Sequence, residues 1–211
     1  MVKIKAISEI ISVVMIVVIS ISLVSAAYMY GLPLIQKSKD RSTLERIISF
    51  FDYSNPSSLP KKIEFVANTG STEVLKLEAD GLWEVHPFNE NSPLNNSIIF
   101  SFFSKVTNID TQDPISLTPG ASCTSRSSGI VGKDSFSIVC IKGNPIFDGY
   151  NITYMIFLRN LTSPSGEVYS IQLTTPTNTL MRSTGKTIRI SRESIDKTSN
   201  FIVTKVKIEI A

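Results

Sequence analysis

The sequence predicts an α+β chain in which a long N-terminal hydrophobic helix is followed by an all-β sandwich-like head domain. Three observations carry that expectation. No charged side chain interrupts the chain between Glu9 and Lys37. From Lys61 onward the apolar residues recur with a period of two instead of 3.6. About eight short apolar runs, punctuated by Gly, Pro and Asn, then fill the remainder in the manner of a sandwich or barrel.

The first element begins Ile10-Ile11-Ser12-Val13-Val14-Met15-Ile16-Val17-Val18-Ile19 and stays apolar through Leu34 and Ile35. A helix needs about 20 apolar residues to cross ~30 Å of hydrocarbon, and this run is long enough even when tilted. Three readings compete: an ordinary secretory signal, an uncleaved anchor, and a leader whose hydrophobic part stays on the mature chain. Lys3 and Lys5 with Val24-Ser25-Ala26 satisfy an ordinary signal peptide, cut near Ala26. Hydrophobicity continues past that site, however, and the acidic Glu9 stands at the entrance to the run.

That entrance, Lys5-Ala6-Ile7-Ser8-Glu9-Ile10-Ile11, resembles the class III (prepilin-type) signal peptide of archaeal type IV pilins and their relatives. The resemblance implies a processing site at Lys5, Ala6 and Ile7, with the cut after Ala6 and the hydrophobic segment retained. Bacterial pilins carry a glutamate at the fifth mature position, whereas Glu9 would be third here. The implied division is a leader at 1–6, a transmembrane or filament-core helix at 7–36, an amphipathic helix and linker at 37–60, and a β-rich extracellular head at 61–211.

Helical spacing adds to this. At 100° per residue, Ser8, Ser12, Ser22 and Ala26 fall within about 40° of one line. Such small residues let helix backbones approach closely in lipid, where no hydrophobic drive brings helices together. Alternatively the serines bond back to their own backbone. Glu9 at the hydrocarbon edge is either paired, with the amine freed at Ile7, or solvated at headgroup level.

Pro33 is expected to kink or end the first helix. Leu44, Ile47, Ile48 and Phe51 then recur at helical spacing as an amphipathic stretch over Lys37–Tyr53, and Asn55-Pro56-Ser57-Ser58-Leu59-Pro60 reads as a linker. Ile63, Phe65 and Ala67, then Leu75, Leu77 and Ala79, alternate with polar residues as a hairpin turning at Asn68-Thr69-Gly70. Further strands are expected at Ile98–Val106, Phe136–Ile141, Ile152–Leu158, Tyr169–Leu173, Ile188–Ile190 and Ile202–Ile210.

Cys123 and Cys140 are the only cysteines, and either bridge across a hairpin or stand reduced, with Cys140 buried beside Phe136 and Ile138. A bridge is worth roughly 3 kcal/mol. Acceptor sequons at Asn95, Asn151 and Asn160 permit N-glycosylation without arguing for it, being about as many as chance supplies. His86 is the sole histidine and its neighbours provide no nucleophile context, so no catalytic residue, metal site or cofactor is expected. Gly129-Ile130-Val131-Gly132-Lys133-Asp134 has glycines too close for a phosphate loop and an acid where Ser or Thr belongs. Asn108, Asp110 and Asp113 lack calcium-loop spacing. The charged fraction is 18%, below the ~25% of soluble domains. The net charge of +3 forms no basic block, which argues against nucleic acid as a partner.

The resemblance implies a structural subunit, major or minor, of a type IV pilus-like filament. Its partners would be the membrane, the prepilin peptidase, copies of itself or other pilin-like subunits, and the cell-envelope layer. The head would lie outside the cell, anchored in its membrane or displayed on a filament. The alternatives are a membrane-anchored accessory protein of the archaellum or cell envelope, stator-like, whose head binds the envelope, and a secreted binding protein or enzyme released near Ala26. No enzymatic activity is expected of the chain.

Overall fold

The computed structural model describes residues 2–89, 93–105, 111–147 and 149–211, with backbone alone for 2–10 and 111. Helix α1 runs Val2–Phe51 and helix α2 Leu59–Thr69. Among the described residues, twelve strands follow in two sheets. The first compact unit ends at Arg41, and the second is Ser42–Ala211.

In α1, Pro33 does not end the helix, which runs on to Phe51. A proline forfeits one i→i−4 bond, here that to the Met29 carbonyl, while the turns on either side keep theirs. The local cost of about 3 kcal/mol falls short of breaking so long an apolar helix. The amphipathic reading of the last turns holds for Leu44, Ile47 and Phe51, which are buried, whereas Ile48 is exposed. The core of the second unit thus recruits residues well before Lys61.

The expected hairpin at 61–79 is corrected. Ile63 and Ala67 fit a period of two, but the buried residues are Leu59, Pro60, Ile63, Val66 and Ala67, which is one face of a helix. Pro60 is not linker but sits in the first turn of α2, where its missing N–H costs nothing. Gly70 ends the helix at φ 75°, its N–H donating to the Val66 carbonyl at 2.9 Å. A side chain there would be strained, and its Cβ would collide with the Arg192 guanidinium.

The first sheet orders β1 (Thr72–Lys76), β11 (Thr187–Thr198), β12 (Phe201–Ile210), β9 (Val168–Thr174), β8 (Leu161–Thr162) and β5 (Gly129–Ile130). The second orders β10 (Met181–Ser183), β2 (Leu82–His86), β3 (Ser97–Ser104), β7 (Gly149–Leu158), β6 (Ser137–Ile146) and β4 (Thr111–Ser116). β1 pairs antiparallel with β11, not with its sequence neighbour, and β12 pairs parallel with β9. The six later strands expected from sequence all exist; β2, β4, β5, β8 and β10 were not anticipated.

The two sheets share one core, into which both helices also pack. Alternation supplies it: Ile188, Ile190, Val206, Ile208, Ile171 and Leu173 face inward from the first sheet. At its centre Phe51 stacks 4.7 Å from Tyr154 and 5.9 Å from Trp83, and Trp83 lies 4.3 Å from Phe100. The last turn of α1 therefore forms part of the aromatic core. Burial pushes the Tyr154 phenol well above its ordinary pKa.

The outer face of the second sheet is also partly covered. Ile99, Ile138, Cys140, Met155 and Phe157 form a smaller cluster with Cys123, against which Leu94 and Ala121 pack. The Arg126 guanidinium lies 3.7 Å from the Phe157 ring centre.

Candidate functional site

The surface with the least ordinary chemistry is the apolar part of α1. From Ile10 to Gln36 it carries no charge, and at 1.5 Å per residue that stretch is about 40 Å long. The helix is therefore long and apolar enough to cross a membrane or to serve as a signal sequence. None of its most apolar stretch is buried within the chain: Ile16, Leu23 and Val24 are each more than 60% exposed. Among the small residues, Ser12, Ser22 and Ala26 are all exposed. Ser22 Oγ donates to the Val18 carbonyl at 2.8 Å, one turn back. The side chains of Lys5, Ala6, Ile7, Ser8 and Glu9 lie outside the described residues.

In the head, a bond joins Cys123 Sγ to Cys140 Sγ, with the Cα atoms 6.0 Å apart. The two do not face each other across a hairpin, as expected from sequence. Cys140 is in β6 opposite Met155 of β7, while Cys123 belongs to the connection between β4 and β5. The bridge thus pins that connection over the outer cluster.

The acidic and basic groups of the head brace it. A cleft of 480 Å³ is lined by Tyr53, Lys61, Glu64, Lys133, Asp134 and Ser135, among others. Glu64 accepts from Ser135 Oγ at 2.5 Å, from Ser137 N at 3.3 Å and from Lys61 Nζ at 2.9 Å. Its Oε1 thereby ties α2 to the start of β6 and the residues just before it. Sequence reasoning missed this because it placed Glu64 on the solvent side of a strand; helical periodicity in Leu59, Ile63 and Val66 was the available signal. Asp134 likewise accepts from Ile130 N at 2.7 Å and faces Arg159 at 3.5 Å, a turn brace instead of a phosphate cradle.

His86 ends β2, its Nε2 3.6 Å from Glu84, whose other oxygen takes Arg182 at 2.7 Å. No group of His, Cys, Asp and Glu able to hold a metal occurs among the described residues. Of the former calcium candidates, Asn108 and Asp110 lie outside the described residues and Asp113 sits on β4. The three sequon asparagines differ in setting: Asn151 is exposed on β7, while Asn95 and Asn160 are half-buried. Compared with protein-family models, curated proteins and solved structures, the chain matches none.

Proposed function

We propose that this chain is a structural subunit, major or minor, of a type IV pilus-like surface filament of the archaeal kind, assembled through its N-terminal hydrophobic helix with the β head outward. One observation carries the reading: an uncharged helical surface about 40 Å long that the chain itself leaves uncovered. Exposed to water, such a surface is strongly unfavourable, so lipid, neighbouring helices or both must surround it. A leader cut after Ala6 by a prepilin peptidase would let the same helix pass from the membrane into a bundle of its copies. The chain's work in this reading is assembly, with no catalytic step.

A second reading has a specific observation in its favour. Ser22 already satisfies its hydroxyl on Val18, so it needs no neighbouring helix, which suits an anchored accessory protein whose head binds the cell envelope. Release by cleavage near Ala26 would leave the later part of α1, including the core residues Leu44, Ile47 and Phe51, on the secreted product.

Mass spectrometry of the mature N-terminus, together with electron microscopy of purified surface appendages, tests these. A start at Ile7 and filaments containing the chain are expected. A start at Ala27 or Tyr28 would replace the filament subunit with a secreted protein. An Ile7 start without filaments would favour the accessory protein.

A further inference from the structure

We propose that Asn151 is the sequon asparagine that carries an N-linked glycan, and that the ring of Phe103 is the platform against which its first sugar packs. The proposal rests on the outward-facing head.

Geometry separates the three sequons. Asn151 stands exposed near the start of β7, opposite Phe103 of β3 and Asn144 of β6. Residues opposite each other in a ladder share a face, so an attached sugar and the Phe103 ring meet on the outer side of the sheet. Phe103 is 52% exposed, and its ring lies over Gly149, where an added Cβ would come within 2.8 Å of Cε2 and Cζ. Glycine at 149 lets the ring lie down beside Asn151 instead of standing off the sheet. A large exposed aromatic beside an amide suits the C–H face of a pyranose, which is apolar while its rim is polar. Asn95 is half-buried, and its side-chain carbonyl is fixed by the Asn89 N–H at 2.6 Å, in a turn leading to the buried Asn96 and Ser97. Asn160 is half-buried between the buried Arg159 and Leu161.

The timing of attachment follows from the third sequon residue. Thr153 is 6% exposed and its hydroxyl is 3.1 Å from Ser101 Oγ, so the folded head does not offer it to a transferase. Transfer therefore precedes pairing of β7 with β3, and the folded geometry selects among the sequons by which attached sugar the closed head can house. Asn151 holds one in solvent, whereas half-buried Asn95 and Asn160 would have to leave their places to carry one. The donor is a lipid-phosphate-linked oligosaccharide. Asn151 Nδ2 forms a bond to the anomeric carbon, the carbon–oxygen bond to phosphate breaks with its electron pair leaving on the phosphate oxygen, and Nδ2 gives up one proton to base.

Glycopeptide mass mapping of the full chain purified from its own cells tests the site. Sugar on the Asn151 peptide with Asn95 and Asn160 bare is expected, and Asn151→Gln should remove the whole glycan mass. Sugar on Asn95 or Asn160 with Asn151 bare overturns the assignment. For the platform, Asn151→Gln should lower Tm in the natural background and leave it unshifted in Phe103→Ser, a change at a half-exposed ring; equal shifts in both overturn Phe103's role. Protease added to intact cells separates the two levels of failure. A head digested from outside but bare at Asn151 defeats the site alone, whereas a head protected until lysis defeats the outward reading and the site together.

Discussion

Asn96 bonds Leu173 across the two sheets. Its side-chain carbonyl accepts the Leu173 N–H at 2.8 Å, its amide donates to the Ile171 carbonyl at 2.8 Å, and its own backbone carbonyl accepts from Leu158 N at 3.1 Å. The residue is 6% exposed and adopts φ 56°. One asparagine thus joins the end of β7 to the middle of β9, in a backbone conformation that asparagine tolerates better than most residues.

Replacing it should therefore cost far more than its surface area suggests. Asn96→Ala is expected to destabilise the head by about 3 kcal/mol, since it orphans a buried N–H and carbonyl and strains the backbone. Asn96→Gly relieves the strain but not the lost bonds, and should recover only part of the loss. Urea unfolding followed by Trp83 fluorescence measures both, and a midpoint unchanged in Asn96→Ala would show that the cross-sheet bonds contribute nothing.

The Cys123–Cys140 bridge should stabilise by about 3 kcal/mol through the loop it closes. Cys123→Ser with Cys140→Ala, or reduction, is expected to lower Tm. Near-UV circular dichroism from Trp83 and Tyr154 should persist at low temperature, because the bridge guards the outer cluster and not the shared core. Loss of the aromatic signal on mild reduction would contradict that separation.

Tyr154 gives the head an alkaline limit. Its folded-state pKa is raised by burial above the ordinary 10.0, so above pH 10 the unfolded chain releases this proton while the folded chain keeps it. The unfolded state then binds fewer protons, and stability falls with rising pH, by at most about 1.4 kcal/mol per unit from this group. The contribution is fully present below pH 10. Tyr154→Phe should show a shallower decline between pH 10 and 12, read from Tm; parallel declines would mean that other groups set the limit.

Under the proposed cut after Ala6, Ala6→Asp should block processing, because a charged side chain cannot occupy the small-residue position beside the cut. The mutant is expected to keep its leader and remain in the membrane fraction, judged by mass. Normal maturation of the mutant would remove the leader assignment.

Ser12→Leu with Ser22→Leu separates a filament helix from a lone anchor. Leu is the better residue in hydrocarbon, so insertion and leader cleavage should proceed. Between neighbouring helices the added side chains would hold the backbones apart, and surface filaments should decrease. Unchanged filament yield by electron microscopy would show that this face is not an assembly surface.

The sequence made the α+β division legible because charge exclusion and the switch from helical to alternating period are long signals. It misled at Lys61–Ala79, where Ile63 and Ala67 satisfy both periods and only Leu59 and Val66 reveal the helix. A strand was readable at Leu75–Ala79, though β1 runs Thr72–Lys76, and its partner was not readable, since pairing with β11 spans more than a hundred residues and leaves no local trace. Strand order and the second, outer cluster were hidden for the same reason: each depends on which distant segments meet. Asn151 was visible as a motif, whereas its exposure and its pairing with Phe103 required the register of β3 on β7.

The place of β12 governs when the head can exist at all. Made last of the twelve strands, it sits between β11 and β9, so the first sheet has a gap at its centre until residues 201–210 have left the ribosome. Until then Ile171, Leu173, Ile188 and Ile190 have no completed layer to bury them. The hydrophobic segment therefore emerges well before this domain can close, since the sheet stays open until β12 is made. A ribosome stalled within those ten residues would leave an open, adhesive edge in the place that β12 otherwise fills.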